Sequence, residues 1–146
     1  DSEKELNLKI PKRNNTINKN NYEEKYKLGC ATIHKDNTLE NEKFISYKVK
    51  TAKLENILNR KKIDFIKIDV EGHEINVLNG AKEIIKESKP NLLIEIEERH
   101  SKIKVEKTIN LINQMGYKSY YTDGKNLMST NKLISYSKNN NYIFIP

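Results

Sequence analysis

Residues 63–97 constrain this chain more than any other stretch, because strand, helix and strand follow one another within about 35 residues, the length of a βαβ unit. Residues 63–70 (IDFIKIDV) form a dense apolar run with few positions suited to water. That predicts a strand covered on both faces in a parallel sheet. Gly72 turns the chain. Ile75, Leu78, Ala81, Ile84 and Ile85 then recur at helical spacing as far as Pro90, and residues 91–97 (NLLIEIE) supply the second strand. A crossover between parallel strands is right-handed, so this unit sets an α/β fold before any other segment is considered.

The remaining segments add to that unit. Leu6, Leu8 and Ile10 alternate with polar residues and stop at Pro11, which predicts a short strand. Residues 12–25 read as a loop rich in Asn and Lys, and residues 26–34 (YKLGCATIH) as a second strand. Ile45, Tyr47 and Val49 share one face of a third, and Thr51 opens a short helix ending near Arg60. Ser101 is placed to cap a helix carrying Ile103, Ile109, Ile112 and Met115, with Gly116 closing it. Residues 117–128 predict a hairpin with a type I′ turn at Asp123-Gly124, and residues 142–145 a last strand. No repeat or linker divides the chain. The expectation is one domain, residues 1–146, with a mostly parallel sheet and added antiparallel strands.

Composition narrows the functional classes. With 146 residues and 36% hydrophobic content the chain can bury a core, and no apolar run approaches the roughly 18 residues of a membrane span. The net charge of +7 comes from lysines scattered among Asn and Ile rather than from basic residues interleaved with aromatics, so a nucleic-acid partner is not expected. A single cysteine, Cys30, excludes an internal disulfide and suits a reducing compartment; a cytoplasmic protein without membrane contact is the default.

The chemistry concentrates in Lys67-Ile68-Asp69-Val70-Glu71-Gly72-His73-Glu74, at the carboxyl end of the first buried strand. Ligands of open α/β sheets bind at that edge, where loops and helix N-termini converge. Three carboxylates and an imidazole within six residues can orient hydroxyls, act as a general base or hold a hard cation such as Mg²⁺, although the spacing matches no strong metal motif. Lys67 and Glu95 each interrupt an apolar strand, which predicts a buried ion pair between neighbours.

The run IDFIKIDVEGHEINVLNGA, a helix, and then KPNLLIEI closely resembles the central block of FkbM-type methyltransferases. The flanks agree: Thr51 to Glu55 resembles the T-x-L-D helix start of that family, with Glu55 in place of the usual Asp, and Asn141 to Pro146 resembles its N-x-I-F-I-P strand. The likeness covers most of residues 44–146. It implies a Rossmann-like class I methyltransferase sheet, S-adenosylmethionine as cofactor, and O-methylation of a hydroxyl on a sugar or other small metabolite. Asp69 would orient or deprotonate the acceptor, helped by Glu71, with His73 as a further catalytic candidate. The resemblance also implies a glycine-rich turn after a first strand, and no two of the five glycines here lie close enough to form one. The expectation is therefore a C-terminal portion whose cofactor-binding half is missing. An unpaired edge on the strand at 63–70 would follow, covered by the early strands or by self-association. The rival reading is a non-catalytic binding module that kept the sheet.

Overall fold

The computed structural model describes residues 4–13, 26–33, 43–58, 61–133, 135–136 and 139–146. Residues 14–25 of the loop expected at 12–25, the end of the strand expected at 26–34, and Arg60 lie outside the described residues.

Two sheets form. β1 (Glu5–Pro11) and β2 (Phe44–Lys50) pair antiparallel, from Glu5 opposite Lys50 to Pro11 opposite Phe44. Instead of a strand, residues 28–30 form a 3-10 turn. Only isolated bridges, Lys9 with Thr32 and Lys12 with Tyr26, tie this segment to β1. A short helix, α1 (Leu54–Leu58), follows β2.

The main sheet has five strands in the order β3-β4-β7-β5-β6: β3 (Phe65–Ile68), β4 (Asn91–Glu95), β5 (Lys118–Thr122), β6 (Leu127–Ser129) and β7 (Asn141–Ile145). β3 and β4 are parallel, as the βαβ pattern requires, but the three other pairings are antiparallel. The expected mostly parallel sheet is thus corrected. β7 arrives through the β5–β6 hairpin from the opposite direction and inserts between β4 and β5. The hairpin loop runs over four residues, Asp123 to Asn126, because Thr122 pairs with Leu127. The Asp123 carboxylate accepts from the backbone N–H of Lys125 and Asn126, a geometry that a two-residue type I′ turn does not offer.

The crossover helix expected between Ile75 and Pro90 is broken into α2 (Glu74–Gly80) and α3 (Lys82–Ser88) at Ala81, whose φ of −115° and ψ of 8° depart from the helical values. Lys89 then adopts a left-handed conformation ahead of Pro90. Ser101 ends the short α4 (Glu98–Ser101) rather than capping the next helix, α5 (Val105–Gln114). α5 buries Val105, Thr108, Ile109 and Ile112, the i, i+3, i+4, i+7 stripe.

The core lies on one face of the five-stranded sheet. Ile68, Leu92, Ile94, Tyr142 and Phe144 point into it, against Leu78, Ala81, Ile85, Ile109 and Ile112 of the helices. The other face is less covered than the sequence predicts: Phe65 is 56% exposed and Lys67 is also exposed. Neither early strand occupies the outer edge of β3. Among the described residues no strand pairs there, since β1 and β2 bond to each other. No helix of the described residues is long and apolar enough to cross a membrane.

Candidate active site

β3 and β4 run parallel in register, with Ile68 opposite Ile94. Their carboxyl ends therefore carry Asp69 and Glu95 side by side, and the chain beyond each strand adds a second acid, Glu71 after β3 and Glu97 after β4. Alternation along β4 explains half of this. Leu92, Ile94 and Ile96 face the core, so Glu95 and Glu97 face away from it.

The turn after β3 is held in an unusual shape. Glu71 (φ 51°) and Gly72 (φ 97°) are both left-handed, a conformation that costs a non-glycine residue roughly 1–2 kcal/mol. Two contacts hold it. The Gly72 N–H donates to the Oε1 of buried Glu74 at 2.7 Å, and the Thr32 hydroxyl donates to the Glu71 carbonyl at 3.1 Å. The backbone of His100 also presses against Gly72, so that a Cβ there would lie 2.8 Å from both the carbonyl carbon and oxygen of His100.

That close approach delivers the His100 ring to the acids. Its Nε2 lies 2.8 Å from Glu97 Oε2 and 3.0 Å from Glu71 Oε2, and all three side chains are 16–18% exposed. Neither approach has the geometry of a hydrogen bond. Arg99 Nε also binds Glu97 Oε2. On the far side the Asn140 amide donates to Glu95 Oε1 at 2.7 Å and to Glu97 Oε1 at 3.0 Å. An open cleft of about 630 Å³ lined by Glu97, Arg99, Ser135, Tyr136 and Asn140 adjoins the cluster.

The four acids differ electrostatically. The hydrogen bond from Lys67 Nζ, 2.9 Å from Oδ2, holds Asp69 below its ordinary value. Burial pushes Glu71 up, with the charges of Glu97 and Asp69 adding to it and His100 opposing. Burial also acts on Glu97, but the hydrogen bonds of Arg99 and Asn140 and the Arg99 charge prevail and lower it. Glu95 is pushed up to about 7, first by burial, then by its hydrogen bond with Asp69 and the surrounding negative charge.

The structure brings Asp69 and Glu71 into this cluster. His73 goes elsewhere: its ring meets Asn76 (3.1 Å) and lines a separate, more apolar cleft with Leu6, Thr51, Val77 and Ala81. The expected buried Lys67–Glu95 ion pair does not form. Lys67 is exposed and bonds to Asp69 on its own strand, while Glu95 takes the Asn140 amide. An exposed pair of this kind contributes little to stability. Asp69, Glu71 and His73 do not gather as metal ligands, and among the described residues no group of three or more such side chains does. Glu97, Arg99, His100 and Asn140 were not singled out from the sequence. The signal available for three of them was the run EIEERH, which leaves β4 as IDVEGHE leaves β3.

A family model described as the methyltransferase FkbM domain matches residues 3–144. No curated protein matches the chain, and no solved structure does.

Proposed function

From the premise that this chain belongs to the FkbM methyltransferase domain family, we propose that the carboxylate cluster receives a hydroxyl-bearing acceptor, a sugar or other small metabolite, for methylation at oxygen. The observation that carries this reading is the convergence of Asp69, Glu71, Glu95 and Glu97 at the carboxyl ends of two parallel strands, beside a cleft with amide, hydroxyl and phenol groups. Ionised carboxylates accept hydrogen bonds from hydroxyls, and several at fixed spacing can hold a polyol in one orientation. Asp69, kept ionised by Lys67, and Glu71 orient the acceptor. Family membership favours this enzyme reading over a binding module.

S-adenosylmethionine is the methyl donor that such a family implies. The described residues do not fit it. Its cradle requires glycines whose missing side chains leave room for the ligand, and the one tightly packed glycine, Gly72, faces the backbone of His100 instead.

The test is transfer of tritiated methyl from S-adenosylmethionine to a panel of monosaccharides by the natural full-length protein. Label on a sugar oxygen is expected, with Asp69→Asn reducing turnover by roughly a hundredfold or more. Label on a nitrogen, or equal turnover in the variant, would overturn the reading.

The outer edge of β3 extends the proposal to assembly. Its backbone groups and the exposed Phe65 invite a strand from a second copy. Sedimentation velocity of residues 1–146 is expected to show a coefficient that rises with concentration. One monomeric boundary across about a hundredfold range of concentration would remove edge pairing from the account.

A further inference from the structure

Resting on that reading, we propose that Glu95 is the group that takes the acceptor's proton, working as a pair with Asp69 on the neighbouring strand. The sequence pointed to Asp69 for this role, and the geometry divides the labour differently. Lys67 Nζ sits 2.9 Å from Asp69 Oδ2, so Asp69 is committed to its charge and is a weak base. Among the described residues no cation is bonded to Glu95. Its partners are the neutral amide of Asn140 at 2.7 Å and the Asp69 carboxylate, within reach to share a proton. Two carboxylates so placed do not both ionise freely, and the proton rests on the one without a counter-ion.

Among the described residues, the acids that face Glu95 outnumber the cations. Asp69 and Glu71 approach from the β3 side, and Glu97 from two residues further along its own chain; all three are acids. Lys67 and Arg99 act on Glu95 through space, each being bonded to a different acid. From the segment leading into β7, Asn140 is the described residue that bonds to it. This balance places the Glu95 carboxyl at about 7, where a general base takes a proton readily and releases it again near neutrality. The step is a simple transfer. The acceptor O–H bond breaks, the proton bonds to a Glu95 oxygen, and the electron pair stays on the acceptor oxygen. Asn140, which reaches both Glu95 and the cleft, positions Glu95 toward the bound hydroxyl.

The pairing also has a thermodynamic signature. The ordinary value of Glu95 is 4.5 and folding raises it to about 7, so the folded state binds more protons than the unfolded state between those values. Stability therefore falls as pH rises across that window, and Glu95→Gln removes the fall.

The decisive experiment is a carbon-13 NMR titration of residues 1–146 carrying carboxyl-labelled glutamate. One carboxyl is expected to titrate near pH 7, to vanish in Glu95→Gln, and to shift down by about a unit or more in Asp69→Asn. With the monosaccharide panel, the rate of the natural protein is expected to rise with pH through the same midpoint. Glu95→Gln is expected to lose that limb with roughly a hundredfold of rate. A Glu95 midpoint below 5, or one indifferent to Asp69→Asn, would overturn the proposal, as would an unchanged pH profile in Glu95→Gln. If Glu95 titrates as expected while the natural protein methylates no hydroxyl, the function proposed above fails and the proton-holding pair stands.

Discussion

Replacing Gly72 with alanine is expected to lower the thermal midpoint of the domain by about 10 °C, from a loss of roughly 3 kcal/mol. Two independent costs add. At φ 97° an alanine is strained in any surroundings, and its methyl group would lie 2.8 Å from the carbonyl carbon and oxygen of His100. The obstacle is backbone, so no side-chain rotation relieves it; the turn or the start of α4 must move. Movement of either draws the His100 ring away from Glu71 and Glu97. Gly116→Ala supplies the control, because Gly116 has a similar φ of 93° but open space where its Cβ would be. Equal thermal losses in the two variants would show that contact with His100 carries no weight.

The second large effect is expected at Phe144. Its ring is fully buried on β7, between Leu92 of β4 and Ser119 of β5. Phe144→Ala removes an aromatic ring from a site with rigid walls on both sides, at a cost of about 3–5 kcal/mol. Urea titration monitored by tyrosine fluorescence measures it. A loss below 1 kcal/mol would mean that the strand is not held as described. The neighbouring Ile145 is 36% exposed on the sheet's other face, and Ile145→Ala should cost far less.

What the sequence revealed depended on how local the governing physics was. The βαβ unit was legible because residues 63–97 carry both periods, strand and helix, in one short window. The parallel β3–β4 pair, the turn at Gly72 and the buried Ile109 and Ile112 follow from such patterns, whereas Ile103, expected on α5, precedes it and Met115 follows it exposed. The position of β7 was not legible. NYIFI reads as a strand wherever it lies, and only tertiary packing decides that it enters between β4 and β5. The segment at 26–33 has strand-forming residues but becomes a 3-10 turn with two bridges, an outcome settled by its neighbours rather than by propensity.

The site divided along the same line. Asp69 and Glu71 were visible as acids at the end of an apolar strand. His73 shares their segment, yet the start of α2 turns its ring toward the other cleft, since helical geometry separates residues that are adjacent in sequence. His100 replaces it near the acids from 29 positions beyond Glu71, brought there by the close packing of Gly72. Lys67 and Glu95 looked like buried partners because each breaks an apolar strand. They lie on the less covered face, where water removes the need for that pairing.

The central place of β7 bears on how the domain is made. β4 ends at residue 95 and β5 at 122, but the strand that joins them spans residues 141–145. Until residues 141–145 arrive, the pairs β3–β4 and β5–β6 have no common neighbour, so each keeps an open inner border. Neither border closes until residue 145 clears the ribosome exit tunnel. A nascent domain halted short of that point would present both borders to chaperones or to other chains. Removing residues 141–146 would recreate that condition, cutting the sheet through its middle.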